Sequence, residues 1–517
     1  MPVATTRVLI VGGGLGGLVL AILLQRAGID YVVLEQSVLI RPIGSLIVLS
    51  PLVLPLMEQL GLLEEIERLA KPFGTLTILR DDLSVVARAV LNDKTLDSKE
   101  RYGHYDQCIP RPDLYNILLA RIPKNRLHLG KRFVNFQHIN LSNPHLSTTS
   151  SLSGSSYSLG GPEFEKIKAR CSDGTFYHAD ILVGADGASS AVRQTLYRHL
   201  KEEGTLPKPD QEDQQYKQVA LVGVTNALSP IKYADLKHEF SHFKIILNRN
   251  SPYMTWYMPV PGNRYGWLVT RTLDEPVTIN SGNSSYADWG PDATDEMSKA
   301  VRHLIGPDGG TVGDLIDSTD RHLLSKVMLE ERTFKTWYGG RTVLIGDACH
   351  KSVPFTAKGA NESILDAVTL ASLLYDMPPT NHLEDFHRVF RAYQQSRASI
   401  AKQVVETSSQ FSALLVKEGW LGDLMRKVAF GIHATFKGRQ NMDKLYAQRT
   451  QATFLPFVKE RGSVPSRPQA QARKGLARQD HTPRCKSVGH AKSGVQEEHA
   501  QVDEFMTMGP DNVSIDM

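Results

Sequence analysis

The chain has 517 residues, which is enough for two to four domains with a large core. Hydrophobic residues make up 41% and charged residues 22%, as in ordinary globular proteins, and a net charge of +4 over this length gives no reason to expect a nucleic-acid partner. The four cysteines (Cys108, Cys171, Cys349 and Cys485) are scattered without a C-x-x-C pair, so we expect neither a metal site nor a disulfide framework.

The first predicted element is a strand that ends in a glycine turn. Val8 to Val11 form a short β-branched run, which is typical of a buried parallel strand. Gly12, Gly14 and Gly17 follow at G-x-G-x-x-G spacing. Gly12 permits the tight turn, Gly14 lets a pyrophosphate approach the backbone, and Gly17 lets the next helix lie close to the sheet. The spacing alone also occurs in plain turns without a ligand.

The context of these glycines favours dinucleotide binding. A helix is predicted over Leu15 to Ala27 and a second strand over Tyr31 to Leu34. Glu35 ends that strand and is placed to accept hydrogen bonds from ribose hydroxyls. The apolar stretch is interrupted by glycine and is therefore not a transmembrane helix. The strand begins too close to Met1 for a signal peptide, which together with the cysteine pattern favours a cytoplasmic protein.

Helices and strands then alternate. Leu52 to Leu69 has helical periodicity interrupted at Gly61, and Thr75 to Val90 alternates as strands do. The segment 109–120 is predicted to begin a helix at its prolines, with Arg111 at the mouth. The Arg111 side chain could pair with a phosphate or a flavin edge or could be a solvated charge. Strands are predicted over 132–140 and 164–180, separated by an exposed Ser/Gly-rich loop at 142–161.

A second strand-to-glycine pattern ends on Asp186 and Gly187. An acidic residue there lies at the carboxyl end of a strand, where α/β sheets bind ligands, although any turn could have this sequence. Between residues 216 and 270 the pattern becomes that of an antiparallel sheet rich in Met, Trp and Tyr. Such a sheet suits a hydrophobic ligand wall and ordinary core packing equally well.

A third strand-to-turn pattern lies at Thr342 to Leu374. A buried strand ends at Gly346 and Asp347, a loop follows Pro354, and a long helix begins about Asn361. Asp347 can accept hydrogen bonds from sugar-like hydroxyls, and the amides around Gly359 and Ala360 offer donors to a developing anion. His350 is either catalytic or, more in keeping with its surroundings, a polar packing residue.

The C-terminal part is predicted to be helical and then disordered. A long amphipathic helix is expected over 383–416 and a further apolar helix over 420–436. Two roles remain open for this region: covering the substrate end or contacting a membrane surface. Beyond Gly462 the composition shifts to Arg, Gln, Ser and Pro, which predicts a disordered tail.

The three motifs in this order resemble those of the group A flavin monooxygenases related to para-hydroxybenzoate hydroxylase, and more narrowly the fungal enzymes that oxidise or epoxidise polyketides and terpenoids. They are the glycine turn with Glu35, the segment 184–187, and Gly346-Asp347 followed by Pro354. The resemblance covers about residues 7–400. It implies an α/β fold: a Rossmann-type FAD-binding domain with an interleaved antiparallel-sheet substrate domain and C-terminal helices.

The resemblance also implies a division of the chain and a set of cofactor contacts. The FAD-binding domain would comprise 1–75, 109–193 and 336–380, the substrate domain 76–108 and 194–335, the C-terminal helices 381–461, and the tail 462–517. The cofactor-binding residues would be Gly12, Gly14, Gly17, Glu35, Gly44, Ser45, Arg111, Asp186, Asp347, Pro354, Gly359 and Ala360. The family usually has Gly-x-Gly after the proline, whereas this chain has Ala357 at the first glycine.

The implied activity is FAD-dependent monooxygenation with NAD(P)H and O2, acting on a small lipophilic secondary metabolite. Arg193 and Tyr216 match positions near the reacting centre in such fungal enzymes, although a structural arginine and a strand tyrosine are equally consistent with the sequence. The alternatives are a flavin dehydrogenase or reductase of the same fold, and a non-catalytic FAD-binding scaffold. A halogenase is disfavoured because Thr255-Trp-Tyr-Met-Pro259 does not match the Trp-x-Trp-x-Ile-Pro motif.

Overall fold

The computed structural model describes residues 5–38, 46–90, 92, 98–140, 165–213, 215–249, 251–278, 291–379, 382–417, 419–433 and 436–472. Its strands are β1 (Thr5–Val11), β2 (Tyr31–Leu34), β3 (Leu46–Leu49), β4 (Lys71–Arg80), β5 (Val85–Val90), β6 (Gln107–Pro110), β7 (Leu127–His128), β8 (Phe133–Asn140), β9 (Glu165–Cys171), β10 (Phe176–Gly184), β11 (Gln215–Val224), β12 (Ser241–Leu247), β13 (Tyr253–Val260), β14 (Arg264–Thr278), β15 (Ser325–Glu330), β16 (Arg332–Thr333), β17 (Tyr338–Gly339), β18 (Thr342–Leu344) and β19 (His350–Lys351). Its helices are α1 (Leu15–Ala27), α2 (Leu54–Gln59), α3 (Leu63–Arg68), α4 (Ser98–Tyr102), α5 (Arg111–Leu119), α6 (Ala191–Glu202), α7 (Pro291–Val301), α8 (Val312–Asp317), α9 (Gly359–Asp376), α10 (Leu383–Val416), α11 (Gly419–His433) and α12 (Phe436–Tyr446).

The first sheet is built around buried parallel strands. Its order is β17-β18-β10-β1-β2-β7, with β9 paired to β10 and β8 to β9. β1 runs parallel to β2 and β10, and β10 runs parallel to β18. Val8, Leu9 and Ile10 have no exposed surface, as expected of a strand covered on both faces. The α1 and β2 segments predicted from the sequence have the observed bounds.

The second sheet is mainly antiparallel and has the order β15-β11-β14-β13-β12-β4-β6-β3, with β5 paired to β4. The antiparallel strands predicted between residues 216 and 270 are confirmed. Residues Leu46–Leu49 were expected in the first part of the FAD-binding domain, but they form β3 and pair with β6 in this sheet. The chain therefore crosses between the two sheets several times, which is the α/β fold with an interleaved antiparallel sheet that the sequence predicted.

The helices complete the core and continue into ordered coil. α9 packs between α1 and α10, and its first residue is Gly359 rather than Asn361. Residues 463–472 were expected to be disordered, yet their backbone donates hydrogen bonds to Glu100, Arg101, Ala447 and Thr453, which holds the segment against the body. The rest of the tail and the loop at 142–161 lie outside the described residues. In the described part of the chain, no helix combines the length and the apolar run that a membrane crossing requires.

Candidate functional site

Three turns meet at one edge of the parallel sheet. Val11 pairs in register with Gly184, and Gly184 pairs with Leu344, so β1, β10 and β18 end side by side. The glycine turn, the Asp186 turn and the Asp347 turn follow these three strands directly. Each of these motifs was predicted at the end of a strand, and the sheet register brings them together at the edge where parallel sheets bind ligands.

The opening glycines fall into two kinds. Gly12 has φ +109°, and a Cβ there would overlap the carbonyl oxygen of Ala185; a Cβ on Gly17 would overlap the carbonyl oxygen of Gly12. These two glycines are required by the protein's own packing. Gly14 differs because the atom nearest to a methyl at its Cα would be the Tyr115 hydroxyl oxygen, at 3.6 Å, which is an ordinary contact. Gly14 also lines the cavity, so a methyl there would take space from a ligand rather than from the fold.

Glu35 lies against the glycine turn. Its Oε2 accepts a hydrogen bond from the Gly13 amide at 2.8 Å, and its Oε1 accepts one from the Ser37 amide at 2.8 Å. Each carboxylate oxygen has a second acceptor site, so these bonds orient the carboxylate and leave it able to accept from a ligand hydroxyl. Glu35 lines the same cavity as Gly12 and Gly14.

The Asp186 carboxylate is used by its own turn. It accepts hydrogen bonds from the Ser190 hydroxyl at 2.5 Å and the Val192 amide at 3.1 Å, at the start of α6. Burial raises the pKa of Asp186, although these hydrogen bonds lower it. The side chain therefore holds the turn in shape, while Gly187 presents backbone to the cavity.

Arg193 connects the second and third turns. Its guanidinium donates to the carbonyl of Ala188 at 2.6 Å and to that of Ala348 at 2.8 Å, and it lies 4.2 Å from the centre of the Phe334 ring. The residue is 4% exposed. Its hydrogen bonds thus join the backbone of the turn after β10 to that of the turn after β18, which is a positioning role.

Tyr216 pairs across the sheet with Glu330, and burial raises the pKa of its hydroxyl to about 12. Among the described residues that line the cavity, neither Tyr216 nor Arg193 appears. A catalytic role for Arg193 and Tyr216 is therefore not supported by contact with the cavity, and it stays a prediction.

Asp347 follows β18 and faces the cavity. Its Oδ2 accepts from the Lys351 ammonium at 2.5 Å, and its side chain is 32% exposed. The Gly346 turn before it is fixed from behind, because the Gly346 amide donates to Asp366 on α9 at 2.8 Å.

A buried charge network supports this turn. Asp366, which is fully buried, also accepts from His350 at 2.6 Å and from Arg397 of α10 at 2.8 Å, and Arg397 donates to Glu362 at 2.5 Å. Burial alone would raise the pKa of Asp366, but His350 and Arg397 lower it to about 2. Burial lowers the pKa of His350, yet Asp366 raises it overall, because its carboxylate stabilises the protonated imidazole. His350 is therefore the polar packing residue that the sequence favoured.

This network also contains a group with metal-ligand chemistry. Donor atoms of Cys349, His350 and Asp366 lie within 4.8 Å of one another. However, the Cys349 thiol donates to the carbonyl of Gly346 at 3.4 Å, and His350 and Asp366 bond each other. All three groups are satisfied within the protein and have the geometry of a hydrogen-bonded ion pair with a neighbouring thiol.

The start of α9 forms another wall of the cavity. Pro354 opens a short turn that ends at Ala357, which has φ +53°, and α9 begins at Gly359. The first amides of a helix have no acceptor within it, so those of Gly359 and Ala360 are available to a ligand. Ala357, Gly359 and Ala360 all line the cavity.

Asn361 holds the α9 start to the second sheet and was not singled out by sequence reasoning. Its Oδ1 accepts from the amide of Ser50 at 2.9 Å, and its Nδ2 donates to the carbonyls of Val48 at 2.8 Å and Ala357 at 3.3 Å. The available signal was that three polar residues (Asn361, Glu362 and Asp366) lie in the first half of a helix rich in apolar residues.

The remaining predicted contacts divide into one at the cavity and two outside the described residues. Arg111 begins α5, lies 4.6 Å from the centre of the Tyr115 ring and lines the cavity. Its position agrees with the ligand-facing alternative. Gly44 and Ser45 lie outside the described residues.

The cavity has a volume of about 2450 Å³ and runs from the glycine turn to the second sheet. At the sheet it is lined by Leu76, Ala220, Val222, Phe243, Trp256, Met258, Leu268, Val327, Leu329, Phe355, Phe411 and Phe430. Pockets for single small ligands are typically about 300–1,000 Å³. This cavity therefore has room for an extended dinucleotide at its polar end and a second, lipophilic molecule at its apolar end.

The comparisons with known proteins agree with this geometry. The family model described as "FAD binding domain" matches residues 5–138 and 165–408. The FAD-dependent monooxygenase atmM of Aspergillus flavus is 28% identical over 433 residues, covering 81% of this chain and 81% of that protein. The FAD-dependent monooxygenase ptmM of Penicillium ochrochloron is 28% identical over 431 residues, covering 80% and 90%. The structure of Klebsiella pneumoniae HpxO complexed with FAD and uric acid aligns with a TM-score of 0.60 at 17% identity, covering 86% of this chain and 96% of that one.

Proposed function

This chain belongs to the FAD-binding domain family and is an FAD-dependent monooxygenase, and from that premise we propose that it uses NAD(P)H and O2 to hydroxylate or epoxidise a hydrophobic secondary metabolite. The observation that carries the proposal is the single cavity that joins the glycine turn to the apolar face of the second sheet. A reductase needs only brief access of an electron acceptor to the flavin. A monooxygenase needs a closed apolar chamber beside it that holds the substrate and excludes water.

We assign the cofactor to the polar end of the cavity. Gly14 leaves space for the diphosphate, Glu35 would accept from the adenosine ribose, and Asp347 would accept from hydroxyls of the ribityl chain. The amides of Gly359 and Ala360 would face the flavin ring. The open space at Gly14 and the unused helix amides fit a bound FAD. When bound, FAD accepts a hydride from NAD(P)H and then activates O2 for the transfer of one oxygen atom to an electron-rich ring or alkene.

The protein's own groups would bind and orient both molecules. Trp256 stacks on Phe355, with ring centres 4.7 Å apart, and both line the chamber. Phe411 and Phe430 line it from α10 and α11. Flat aromatic walls suit a fused-ring or polyene substrate, whose burial is favourable by about 25 cal/mol per Å² of apolar surface.

The C-terminal helices support a further part of the proposal, peripheral contact with a membrane. On α11 the side chains of Trp420, Leu424 and Val428 are 77%, 48% and 55% exposed, and they recur every four residues along one face. Asp423, between them, accepts from Arg80 at 2.5 Å and from Arg426 at 2.6 Å, which fixes the helix with this face outward. Such a face suits the interfacial region of a lipid bilayer.

The opposite side of α11 contributes Ala429 and Phe430 to the cavity. Only the thickness of α11 would thus lie between a lipid surface and the substrate chamber. A lipophilic substrate would then have a short path from the lipid to the chamber. Sedimentation with phosphatidylcholine–phosphatidylserine vesicles tests this contact. Trp420→Ser combined with Leu424→Ser should abolish sedimentation, whereas Ile231→Ser, at a position that is 87% exposed, should not. Absence of sedimentation by the unaltered protein would contradict the membrane contact.

Oxygen transfer is tested with the purified FAD-loaded protein, NADPH, isotopically labelled O2 and a lipophilic extract of the source organism. We expect one metabolite to gain the mass of one labelled oxygen atom, with NADPH oxidation that depends on the extract. NADPH oxidation without incorporation of label would point to the reductase alternative. Protein that never retains FAD would contradict the whole assignment.

A further inference from the structure

Lys358 is held at the cavity wall by the turn that precedes α9. It stands between Ala357, with its left-handed backbone, and Gly359, the first residue of the helix, and its carbonyl accepts from the Glu362 amide at 3.0 Å. All three residues from Ala357 to Gly359 line the cavity. No hydrogen bond or ion pair joins the Lys358 ammonium to any other residue that the structure describes. Because Lys358 lines the cavity, its charge is available to a ligand bound there.

The charged group that faces Lys358 comes from a different element. Asp106 precedes β6, is 8% exposed and lines the same cavity, and its carboxylate accepts from the Tyr446 hydroxyl at 3.2 Å. The other carboxylate near Lys358 is that of Glu362, which is already paired with Arg397 at 2.5 Å. Asp106 is thus the group whose charge modulates that of Lys358 within the cavity.

The electrostatics of the two groups are coupled. Burial lowers the pKa of Lys358, and the charges of Glu362 and Asp106 raise it again. Burial raises the pKa of Asp106 to about 6, and the Tyr446 hydrogen bond and Lys358 lower it. Near neutral pH an ionised Asp106 therefore offsets part of the positive potential of Lys358, since opposite charges cancel at a third point near both.

We propose that Lys358 tunes the reduction of the bound FAD by stabilising the negative charge that the flavin acquires with two electrons, and that Asp106 attenuates this effect. The proposal rests on the assignment of FAD to this cavity. A cation at the wall of a water-poor cavity acts on a ligand's charge far more strongly than it would in water. The chain places Lys358 directly before the helix amides assigned to the flavin ring, so the ammonium and the helix N-terminus act with the same sign.

The test uses the FAD-loaded protein and sulfite, an anion that adds reversibly to oxidised flavin and leaves negative charge on the ring. For K358Q we expect the dissociation constant of sulfite to rise at least tenfold, on the order of one charge interaction of this kind, and the midpoint potential of FAD to become more negative. For D106N we expect the opposite: tighter sulfite binding and a more positive potential. K358R keeps the charge and should stay close to the unaltered protein.

Lys201, an exposed residue of α6, supplies the matched control, because K201Q removes the same charge far from the cavity wall. It should leave both readouts unchanged. The proposal is overturned if K358Q retains FAD with unaltered sulfite affinity and potential, or if D106N shifts them in the same direction as K358Q. Should K358Q fail to hold FAD, D106N and K358R against the unaltered protein decide the question. Failure of the unaltered protein to bind FAD would refute the proposed function instead.

Discussion

The carboxylate of Asp366 accepts a hydrogen bond from the backbone amide of Gly346 at 2.8 Å, so a fully buried side chain in α9 fixes the turn that presents Asp347 to the cavity. The same carboxylate is paired with His350 and Arg397. The buried charge network and the turn assigned to the cofactor therefore share one group.

Replacing Asp366 with Asn should lower the free energy of unfolding by about 3–5 kcal/mol, because the buried Arg397 would keep only Glu362 as a carboxylate partner and His350 would lose its carboxylate partner. Urea unfolding at neutral pH measures the change. Glu384→Gln, at a position on α10 whose side chain is 80% exposed, is the control and should stay within about 0.5 kcal/mol. An Asp366→Asn protein as stable as the control would show that the network contributes no net stability.

Asp347→Ala should abolish FAD retention while leaving the fold intact. The side chain is 32% exposed and its ion pair with Lys351 is near the surface of the cavity, so its loss costs about 1 kcal/mol or less of stability. The ratio of flavin to protein absorbance after gel filtration measures retention. Asp317→Ala, which removes an exposed ion pair with Arg302, should keep FAD. Full flavin absorbance in Asp347→Ala would refute the assigned contact.

Gly14→Ala and Gly12→Ala should fail in different ways. An alanine fits the backbone and packing at Gly14, where φ is −73°, so this variant should fold with nearly unchanged stability but bind FAD weakly. An alanine at Gly12 overlaps the Ala185 carbonyl and has φ +109°, so that variant should be strongly destabilised. Thermal unfolding with and without FAD separates the two effects. Tight FAD binding by Gly14→Ala would mean that the diphosphate does not approach this amide.

Ala357→Gly should make the protein more stable by up to about 1 kcal/mol. The left-handed backbone at Ala357 costs an L-residue about 1–2 kcal/mol, and glycine removes this cost. Glycine also makes the unfolded state more flexible, which offsets about 0.5–1 kcal/mol of the gain. Ala357→Val, with a β-branched side chain at the same φ, should be destabilised. Denaturant midpoints for the pair test this, and equal midpoints would mean that the turn carries no backbone strain.

Asp106 should give stability a distinctive dependence on pH. Burial raises its pKa from 3.8 to about 6, although Tyr446 and Lys358 lower it, so the folded state binds its proton more tightly than the unfolded chain does. The contribution of this carboxyl to the free energy of unfolding therefore falls as pH rises from about 4 to about 6, by up to about 3 kcal/mol, and stays low above that range.

The asparagine side chain of Asp106→Asn cannot ionise, so this variant should not lose that contribution to the free energy of unfolding as the pH rises. Its free energy of unfolding, relative to the unaltered protein, should improve between pH 4 and pH 7 by up to the same amount, as measured by urea unfolding at both pH values. Asp366, whose pKa is held at about 2, should behave oppositely, because its stabilising effect is present above pH 4 and is lost as the pH falls toward 2. A pH-independent difference for Asp106→Asn would contradict the raised pKa.

The elements that the sequence predicted best are those whose ends are marked by residues that stop a helix or strand. The predicted bounds of α1 and β2 agree with the observed ones. Gly14 and Gly28 mark the two ends of the helix, and the apolar run between them is long enough to favour a helix over a strand. β3 was not among the predicted strands, because its pairing partner β6 lies about sixty residues later in the chain. Pairing across such a separation leaves no periodicity in the strand itself.

The parts of the site that are formed by backbone turns could be predicted from the sequence. The hydrogen bonds between side chains that are distant in the sequence could not. Glycine spacing and strand ends placed the turns at Gly12, Asp186 and Asp347 without knowledge of the register that joins them. The bonds of Arg397 to Asp366 and of Arg193 to Ala348 span 31 and 155 residues. Only the packed structure shows that Arg193 serves backbone carbonyls, whereas the sequence alone allowed a role at the reacting centre.

The register of β18 beside β10 also has a consequence for how the protein is made. β18 is translated after every strand of the second sheet, yet it completes the edge that begins at Gly12. A nascent chain still lacking Leu344 can fold its glycine turn and much of the apolar sheet, but the three neighbouring turns cannot yet be assembled. At the site assigned here, FAD would therefore be captured only after β18 has left the ribosome, and a message truncated before this strand would yield a product that lacks the Asp347 turn.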